Sequence, residues 1–162
     1  MVTKRGFSLI ELTVVIGLIS LLTLAITSAL LMSVVSSNRI RTATKIKQAG
    51  NFALDQMQGL IRNARNVDTC DSAGGSITVN NPDGGTTTLT QESDGNYTRV
   101  ASNSGIYLTP SNLEVTNFTL ACTPSDSTPS LITITFDLHD PQNLSSRESP
   151  TLHFETAVNL RN

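Results

Sequence analysis

Residues 4–35 read KRGFSLIELTVVIGLISLLTLAITSALLMSVV, a basic pair and a glycine followed by a long apolar run. Residues 7–35 contain no proline and only one charged side chain, that of Glu11. The run is longer than the ~20 apolar residues that a helix needs to cross a bilayer. Because lipid offers a backbone no hydrogen-bond partners, we expect this segment to be a membrane-spanning helix.

Glu11 is the exception within this apolar run. A carboxylate inside hydrocarbon costs roughly 2.5–3.5 kcal/mol on insertion scales, and such acids usually face a partner or mark a function. One interpretation places Glu11 near the membrane interface, where its charge is tolerated. The other interpretation is that the carboxylate meets a cation inside an assembly of several chains.

The segment KRGFSLIE, residues 4–11, resembles the cleavage and methylation signal of type IV prepilins and of type II secretion pseudopilins. The resemblance implies that a prepilin peptidase cuts between Gly6 and Phe7 and methylates the new N-terminus at Phe7. It also implies that Glu11 serves filament assembly. Cleavage would create a positive amine at Phe7, which Glu11 of a neighbouring chain could neutralise. Such a buried pair sets the register of packing more than it adds stability.

The resemblance also implies a leader, a set of partners and a location. Residues 1–6 would be the leader, with Lys4 and Arg5 as its charges. Before assembly the chain would cross the cytoplasmic membrane once with its N-terminus in the cytoplasm, and afterwards it would belong to an extracytoplasmic filament. A simple count of positive charges favours the opposite orientation, because four cations follow the span closely. The implied partners are the prepilin peptidase, other pilin subunits, an assembly platform protein and an assembly ATPase.

Residues 36–66 continue with helical periodicity. Apolar side chains recur mostly every three or four positions, which predicts an amphipathic helix whose apolar stripe forms the floor for a sheet. Gly50 and Gly59 each weaken such a helix by about 1 kcal/mol relative to alanine. We expect each of them to mark a bend or a close approach of another element. The stripe comprises Ile40, Ala43, Ile46, Ala49, Ala53, Met57, Leu60, Ile61, Ala64 and Val67.

The chain beyond Cys70 shows the pattern of antiparallel strands. Turn-forming clusters separate short strand-like stretches that we expect to form a meander. Two later segments alternate between a mainly apolar and a mainly polar set of residues, so that one face can cover the helix and the other can meet water. The meander stretches are residues 76–80, 86–91 and 97–101, with a further short piece at 106–109, and the alternating segments are residues 132–138 and 152–160.

Residues 113–122 also read as a strand, but the apolar residues at its two ends are out of phase. A strand has a period of two, so it can keep both groups on one face only with an extra residue. We therefore predict a bulge near Thr116 or Asn117. The C-terminal residues 154–162 resemble the last strand of many minor pilin-like proteins, which favours a minor subunit but leaves major versus minor open.

These patterns predict an α+β fold. It is pilin-like, with one long N-terminal helix, apolar in its first half and amphipathic in its second, packed on an antiparallel β-sheet. The predicted divisions are residues 1–6 as leader, 7–35 as transmembrane or filament-core helix, 36–66 as the amphipathic half of the helix, and 67–162 as the β domain.

The chain has two cysteines, Cys70 and Cys122, without the spacing of a zinc site. If the β domain lies outside the cytoplasm, a disulfide between them is favoured over two buried free thiols. Closing that loop would stabilise the fold by roughly 4 kcal/mol in the chain-entropy model.

Composition and motifs give no indication of catalysis. The formal net charge of −2 argues against a nucleic-acid interface built on overall basicity. We find no hydrolase, metalloprotease, phosphate-binding or calcium-loop motif, and we expect no cofactor and no enzymatic activity. His139 has Asp137 and Asp140 as near neighbours and could bind a metal. Solvent exposure is the simpler expectation for His139, and also for His153 on the polar face of its strand.

Two functions remain from different classes. The first is a structural subunit of a type IV pilus-like or pseudopilus filament, acting in adhesion, motility, DNA uptake or protein secretion. The alternative is a membrane-anchored extracytoplasmic binding module that does not polymerise. An extracytoplasmic enzyme has the least support.

Overall fold

The computed structural model describes residues 8–103, 105–124, 129–142 and 149–160. The chain divides into two compact units, Met1–Asn38 and Arg39–Asn162. Helix α1 (Leu9–Asn63) contributes residues to both units. The leader and the cleavage position, with Lys4, Arg5, Gly6 and Phe7, lie outside the described residues.

The first unit consists of the apolar part of α1. Every residue from 8 to 38 is exposed to solvent. The large apolar side chains of this unit are between 40% and 81% exposed, from Val35 to Leu9. No other part of the described chain covers them, so the unit has no core of its own.

The second unit packs the remainder of α1 against two antiparallel sheets. The α+β class predicted from the sequence is confirmed, but the prediction of a single sheet is wrong. The first sheet contains, in spatial order, β1 (Asn66–Asp71), β2 (Ser76–Asn80), β3 (Thr86–Ser93) and β4 (Thr98–Ser102), and the second contains β5 (Glu114–Thr123), β6 (Leu131–His139) and β7 (Leu152–Asn159).

The apolar stripe of α1 is the floor of the core. The helix buries Ile46, Gly50, Ala53, Met57 and Ile61, which recur every three or four positions and therefore lie on one helix face. The core side chains of both sheets pack in the same cluster as this stripe. The predicted role of the stripe is confirmed, although Ile40 at its start is 63% exposed.

Helix α1 ends earlier than the sequence pattern predicts. It stops at Asn63 rather than at residue 66. The backbone N–H of Arg65 donates to the carbonyl of Asn80 at 2.8 Å, so the backbone at Arg65 already pairs with the end of β2. Val67, expected on the helix stripe, is instead a buried residue of β1, a strand that the sequence reading missed.

The other strands lie close to their expected positions. The bulge is confirmed, because the β5–β6 register shifts between Thr116 and Thr119 and Asn117 has a positive φ of 52°. Left-handed backbone is uncommon for a non-glycine residue but tolerated by asparagine. The short piece expected at residues 106–109 forms only an isolated bridge, between Tyr107 and Ala101.

The two sheets are joined at β5. Cys70 of β1 and Cys122 of β5 form a disulfide, the pairing favoured from the sequence, with their Cα atoms 6.6 Å apart. The hydroxyl of Ser72 accepts from the backbone N–H of Cys122 at 3.3 Å, and the amide of Gln91 donates to the carbonyl of Val115 at 3.0 Å. These contacts supply partners to β5 on the side away from β6.

The two glycines singled out in α1 have different surroundings. A Cβ atom added to Gly50 would overlap the ring of Phe154, whereas one added to Gly59 would meet no atom within 4 Å. Gly50 therefore marks a close approach of β7 to the helix. The space over Gly59 is open.

Candidate functional site

Glu11 takes part in the N-terminal cap of α1. Ser8 precedes the first helical residue, and its hydroxyl accepts from the backbone N–H of Glu11 at 3.3 Å. In return, the carboxylate of Glu11 accepts from the backbone N–H of Ser8 at 3.4 Å. This reciprocal pair is a capping box, which satisfies N–H groups that a helix start otherwise leaves without partners.

The capping box gives Glu11 a role within its own chain that the sequence reading missed. The signal was present, because Ser8 and Glu11 have the S-x-x-E spacing of the motif. An acid in the first turn also interacts favourably with the helix dipole. Both residues are exposed, so the carboxylate remains accessible to a second partner while it caps the helix.

Five hydroxyl groups of the apolar run bond to carbonyls of their own helix. Ser20 donates to the carbonyl of Ile16, and Thr23 donates to that of Ile19, each at 2.8 Å. Thr13, Thr27 and Ser28 make equivalent bonds to carbonyls three or four residues earlier. These side chains therefore need no water, which suits a helix in an apolar solvent.

By length and composition α1 is able to cross a membrane, and its apolar part lies near the N-terminus and is not buried. Leaving large apolar side chains in water costs roughly 1.5–3 kcal/mol for each one. The first unit is therefore compatible with a membrane anchor. Within residues 8–38 the only ionisable side chain is that of Glu11.

A second polar group lies on the outer face of the second sheet. Asn117, placed by the bulge, donates its amide to Asp137 at 2.7 Å, and His153 Nδ1 donates to the other carboxylate oxygen at 2.7 Å. The Asn117 amide and, to a lesser degree, His153 hold the pKa of Asp137 below its ordinary value of 3.8. This cluster fastens β5, β6 and β7 to one another at one end of the sheet.

The structure separates the residues considered for metal binding. His139 contacts Glu114 at 3.4 Å, while Asp137 contacts His153. Among the described residues, no three or more His, Cys, Asp or Glu side chains converge as a metal site would require. The two histidines each have one acidic partner, which is the pattern of surface ion pairs.

Arg99 organises the end of the first sheet. Its guanidinium lies over the ring of Tyr107, 4.1 Å from the centroid, and bonds to Asp94 at 3.1 Å and to the carbonyl of Thr109. The backbone N–H groups of Tyr97 and Asn96 lower the pKa of Asp94 below its ordinary value, and Arg99 adds a smaller contribution. All three guanidinium nitrogens of Arg99 have partners within this cluster, so the arrangement is structural.

No family model matches the chain, and neither a curated protein nor a solved structure matches it. Function must therefore be inferred from the residues and from their geometry.

Proposed function

We propose that the chain is the precursor of a type IV pilin-like or pseudopilin-like subunit, a building block and not an enzyme. A prepilin peptidase cuts it between Gly6 and Phe7, and the apolar part of α1 then holds it in the cytoplasmic membrane until assembly. In the filament the same helix packs against the helices of other copies. The resemblance of residues 154–162 to minor pilins favours a minor subunit.

The observation that carries this proposal is an uncovered apolar helix with one acid at its start. Its large apolar side chains lack cover within the described chain, so lipid or other copies must supply it. The capping bonds leave the carboxylate of Glu11 exposed, so it can also meet a positive charge of another copy. A polymer in which each freed Phe7 amine meets Glu11 of a neighbour explains both features.

The exchange of lipid for neighbouring helices replaces one apolar solvent by another. Burial of apolar surface therefore contributes little net driving force, in contrast to association in water. Extraction from the membrane then depends on external work, which is the role of the assembly ATPase and the platform protein as partners.

The capping box allows the charge of Glu11 to be tested apart from its capping role. Glu11→Gln keeps a side-chain oxygen that can accept from the Ser8 N–H, but it removes the charge. Breaking a buried ion pair by removing one partner costs about 3–5 kcal/mol. We expect Glu11→Gln to enter the membrane and to be processed like the wild type, while filaments fall below about a tenth of the wild-type number.

Ser8→Ala is the matched control. It removes the capping hydroxyl, at a cost of about 1 kcal/mol to the helix start, and leaves the Glu11 charge in place. Filament counts for Ser8→Ala should therefore stay near those of the wild type. Filaments of normal number in Glu11→Gln would contradict the proposed ion pair, whereas a wild-type chain that enters the membrane but is neither processed nor assembled would favour a membrane-anchored binding module that does not polymerise.

A further inference from the structure

Four exposed cations follow the apolar run of α1 and take no part in the proposed filament contact. We call them the basic cluster, which comprises Arg39, Arg41, Lys45 and Lys47. The cluster begins only four residues after Val35, the last residue of the apolar run. No acid lies within it or near it in the sequence, because the chain has none between Glu11 and Asp55.

The basic cluster has no acidic partner in the described part of its own chain. The ion pairs found there involve Arg99, His139 and His153, and none involves the cluster. A helix can pair opposite charges three or four residues apart, but no acid stands at such a spacing from these cations. Lys47 lines a cleft that also contains Glu155, without an ion pair between them. The charges of the cluster are therefore available to a partner outside the chain.

The cations surround the helix instead of marking one side of it. At 3.6 residues per turn, Lys47, Arg41 and Lys45 lie about 80°, 200° and 240° around the axis from Arg39. A single protein partner packs on one side of a helix, so it would leave part of the cluster facing away. The headgroups of a bilayer surround a membrane-spanning helix on every side. The arrangement therefore favours a lipid surface over one protein partner.

The position of the cluster in the chain also matches the headgroup layer. The step from Val35 to Arg39 is about 6 Å along a helix. The headgroup layer on each side of a bilayer is about 5–8 Å thick. The apolar stems of lysine and arginine lie along apolar surface while their charged ends reach polar groups. Ile40, which is 63% exposed within the cluster, adds apolar surface at this boundary.

We propose that the basic cluster binds anionic phospholipid headgroups on the extracytoplasmic surface of the membrane. Each lysine or arginine near an anionic surface strengthens binding about fivefold. The attraction fades within a Debye length, about 8 Å at physiological ionic strength, so it acts only while the chain is in the membrane. Cations beside a span favour the cytoplasmic side, and attraction to anionic lipid on the far side offsets that bias. The inference rests on the membrane anchor of the proposed function, but not on processing at Gly6 or on polymerisation.

The β domain of a neighbouring copy is the other partner whose charge fits the cluster. Residues 67–162 contain eleven acids and three cations, so this domain is strongly acidic. An anionic membrane repels it and attracts the basic cluster, which orders the two parts of the chain relative to the lipid surface. A contact with a neighbouring domain requires a second copy, whereas a contact with lipid forms in a single chain. The two partners are therefore separated by diluting the protein in the membrane.

Lipid preference is measured with the full-length, unprocessed chain reconstituted into vesicles. The chain has no tryptophan, so Ile40→Trp places a single fluorescent probe within the cluster. Because Ile40 is exposed, this substitution disturbs no packing of the described chain. Brominated lipids quench tryptophan when they lie next to it. One set of phosphatidylcholine vesicles contains brominated phosphatidylglycerol, which is anionic, and the other contains an equal share of brominated phosphatidylcholine.

We expect the quenching to show anionic lipid enriched at the probe by at least about threefold over its share of the bilayer. The enrichment should disappear between about 0.1 M and about 1 M salt, where the Debye length falls from about 10 Å to about 3 Å. It should be unchanged when the protein is diluted tenfold with lipid. Protection of residues 7–35 from added protease confirms that the chain spans the vesicle membrane.

Glutamine variants show whether the cluster is the cause. Changing all four of its cations to glutamine should make the two brominated lipids quench equally. Arg62→Gln combined with Arg65→Gln is the matched control, because it removes two exposed cations beyond the cluster and should leave the enrichment unchanged. Arg39→Lys combined with Arg41→Lys keeps the charges and should also preserve it.

Equal quenching by the two lipids in the chain that carries only Ile40→Trp would overturn the proposal, whether or not the glutamine variant inserts. Enrichment that survives the removal of all four cations would overturn it as well. A probe that responds to protein dilution but not to lipid charge would assign the cluster to a second copy instead of lipid. None of these results bears on cleavage at Gly6, because no peptidase is present.

Discussion

The contact between Gly50 and Phe154 is a test of how α1 packs on the second sheet. Gly50 and Gly59 both lie inside α1, so replacing either with alanine gains about 1 kcal/mol of helix propensity. Only at Gly50 does the new Cβ overlap another group, the ring of Phe154. The difference between Gly50→Ala and Gly59→Ala therefore isolates the cost of the overlap, because the helix term is common to both.

The ring of Phe154 has little freedom to move away. It is 6% exposed and stacks on Phe136, with ring centroids 5.3 Å apart, and Phe136 is fully buried. Overpacking of such a site costs roughly 1–3 kcal/mol. Gly50→Ala should be less stable than Gly59→Ala by that amount, and Gly59→Ala should be slightly more stable than the wild type.

Thermal unfolding of the full-length chain in detergent micelles measures this difference. The chain has no tryptophan and two tyrosines, Tyr97 and Tyr107, so tyrosine fluorescence reports on the second unit. The two midpoints should differ by roughly 4 °C for each kcal/mol of stability. Phe154→Leu removes the tip of the ring. Added to Gly50→Ala, it should restore most of the lost stability, whereas added to Gly59→Ala it should show no such coupling. Equal midpoints for the two alanine variants would refute the close approach.

Two further predictions concern covalent and electrostatic links between strands. Replacing both Cys70 and Cys122 with alanine should lower the unfolding free energy, measured by denaturant titration, by about 4 kcal/mol. Reductant added to the wild type should give a similar loss. A loss below about 1 kcal/mol would contradict the chain-entropy account. Folding lowers the pKa of Asp137 from its ordinary value of 3.8. The ionised Asp137 therefore stabilises the folded chain at any pH above 3.8, and this stabilisation is lost as the pH falls below 3.8. Asn117→Gly keeps the positive φ but removes the amide donor, so the pKa of Asp137, followed by NMR, should rise towards 3.8, and an unchanged pKa would show that the amide is not its cause.

The features that depend on local periodicity could be read from the sequence. The stripe through Ile46 and Met57 repeats with the period of a helix, and the phase shift in residues 113–122 requires the bulge found at Asn117. Both patterns involve residues close together in the chain. The end of α1 was misplaced because Val67 continues the spacing of the stripe and also fits a strand.

The features that depend on distant partners could not be read in this way. The division into two sheets is set by which strand edges meet, and nothing in the pattern of β4 or β5 indicates that they do not pair. Gly50 was ambiguous between a bend and a close approach because its neighbour, Phe154, is more than one hundred residues away along the chain. At the candidate site, the capping role of Glu11 was readable from Ser8, whereas its pairing with another copy rests on the proposed function.

The N-terminus of the chain after exposure to a prepilin peptidase tests the central claim most directly. Intact-mass and N-terminal fragment analysis of the coexpressed protein should show a chain that has lost residues 1–6 and begins at a methylated Phe7. A Gly6→Leu variant, treated in the same way, should remain uncut. A wild-type chain that still begins at Met1 or Val2 would contradict the account of a processed filament subunit.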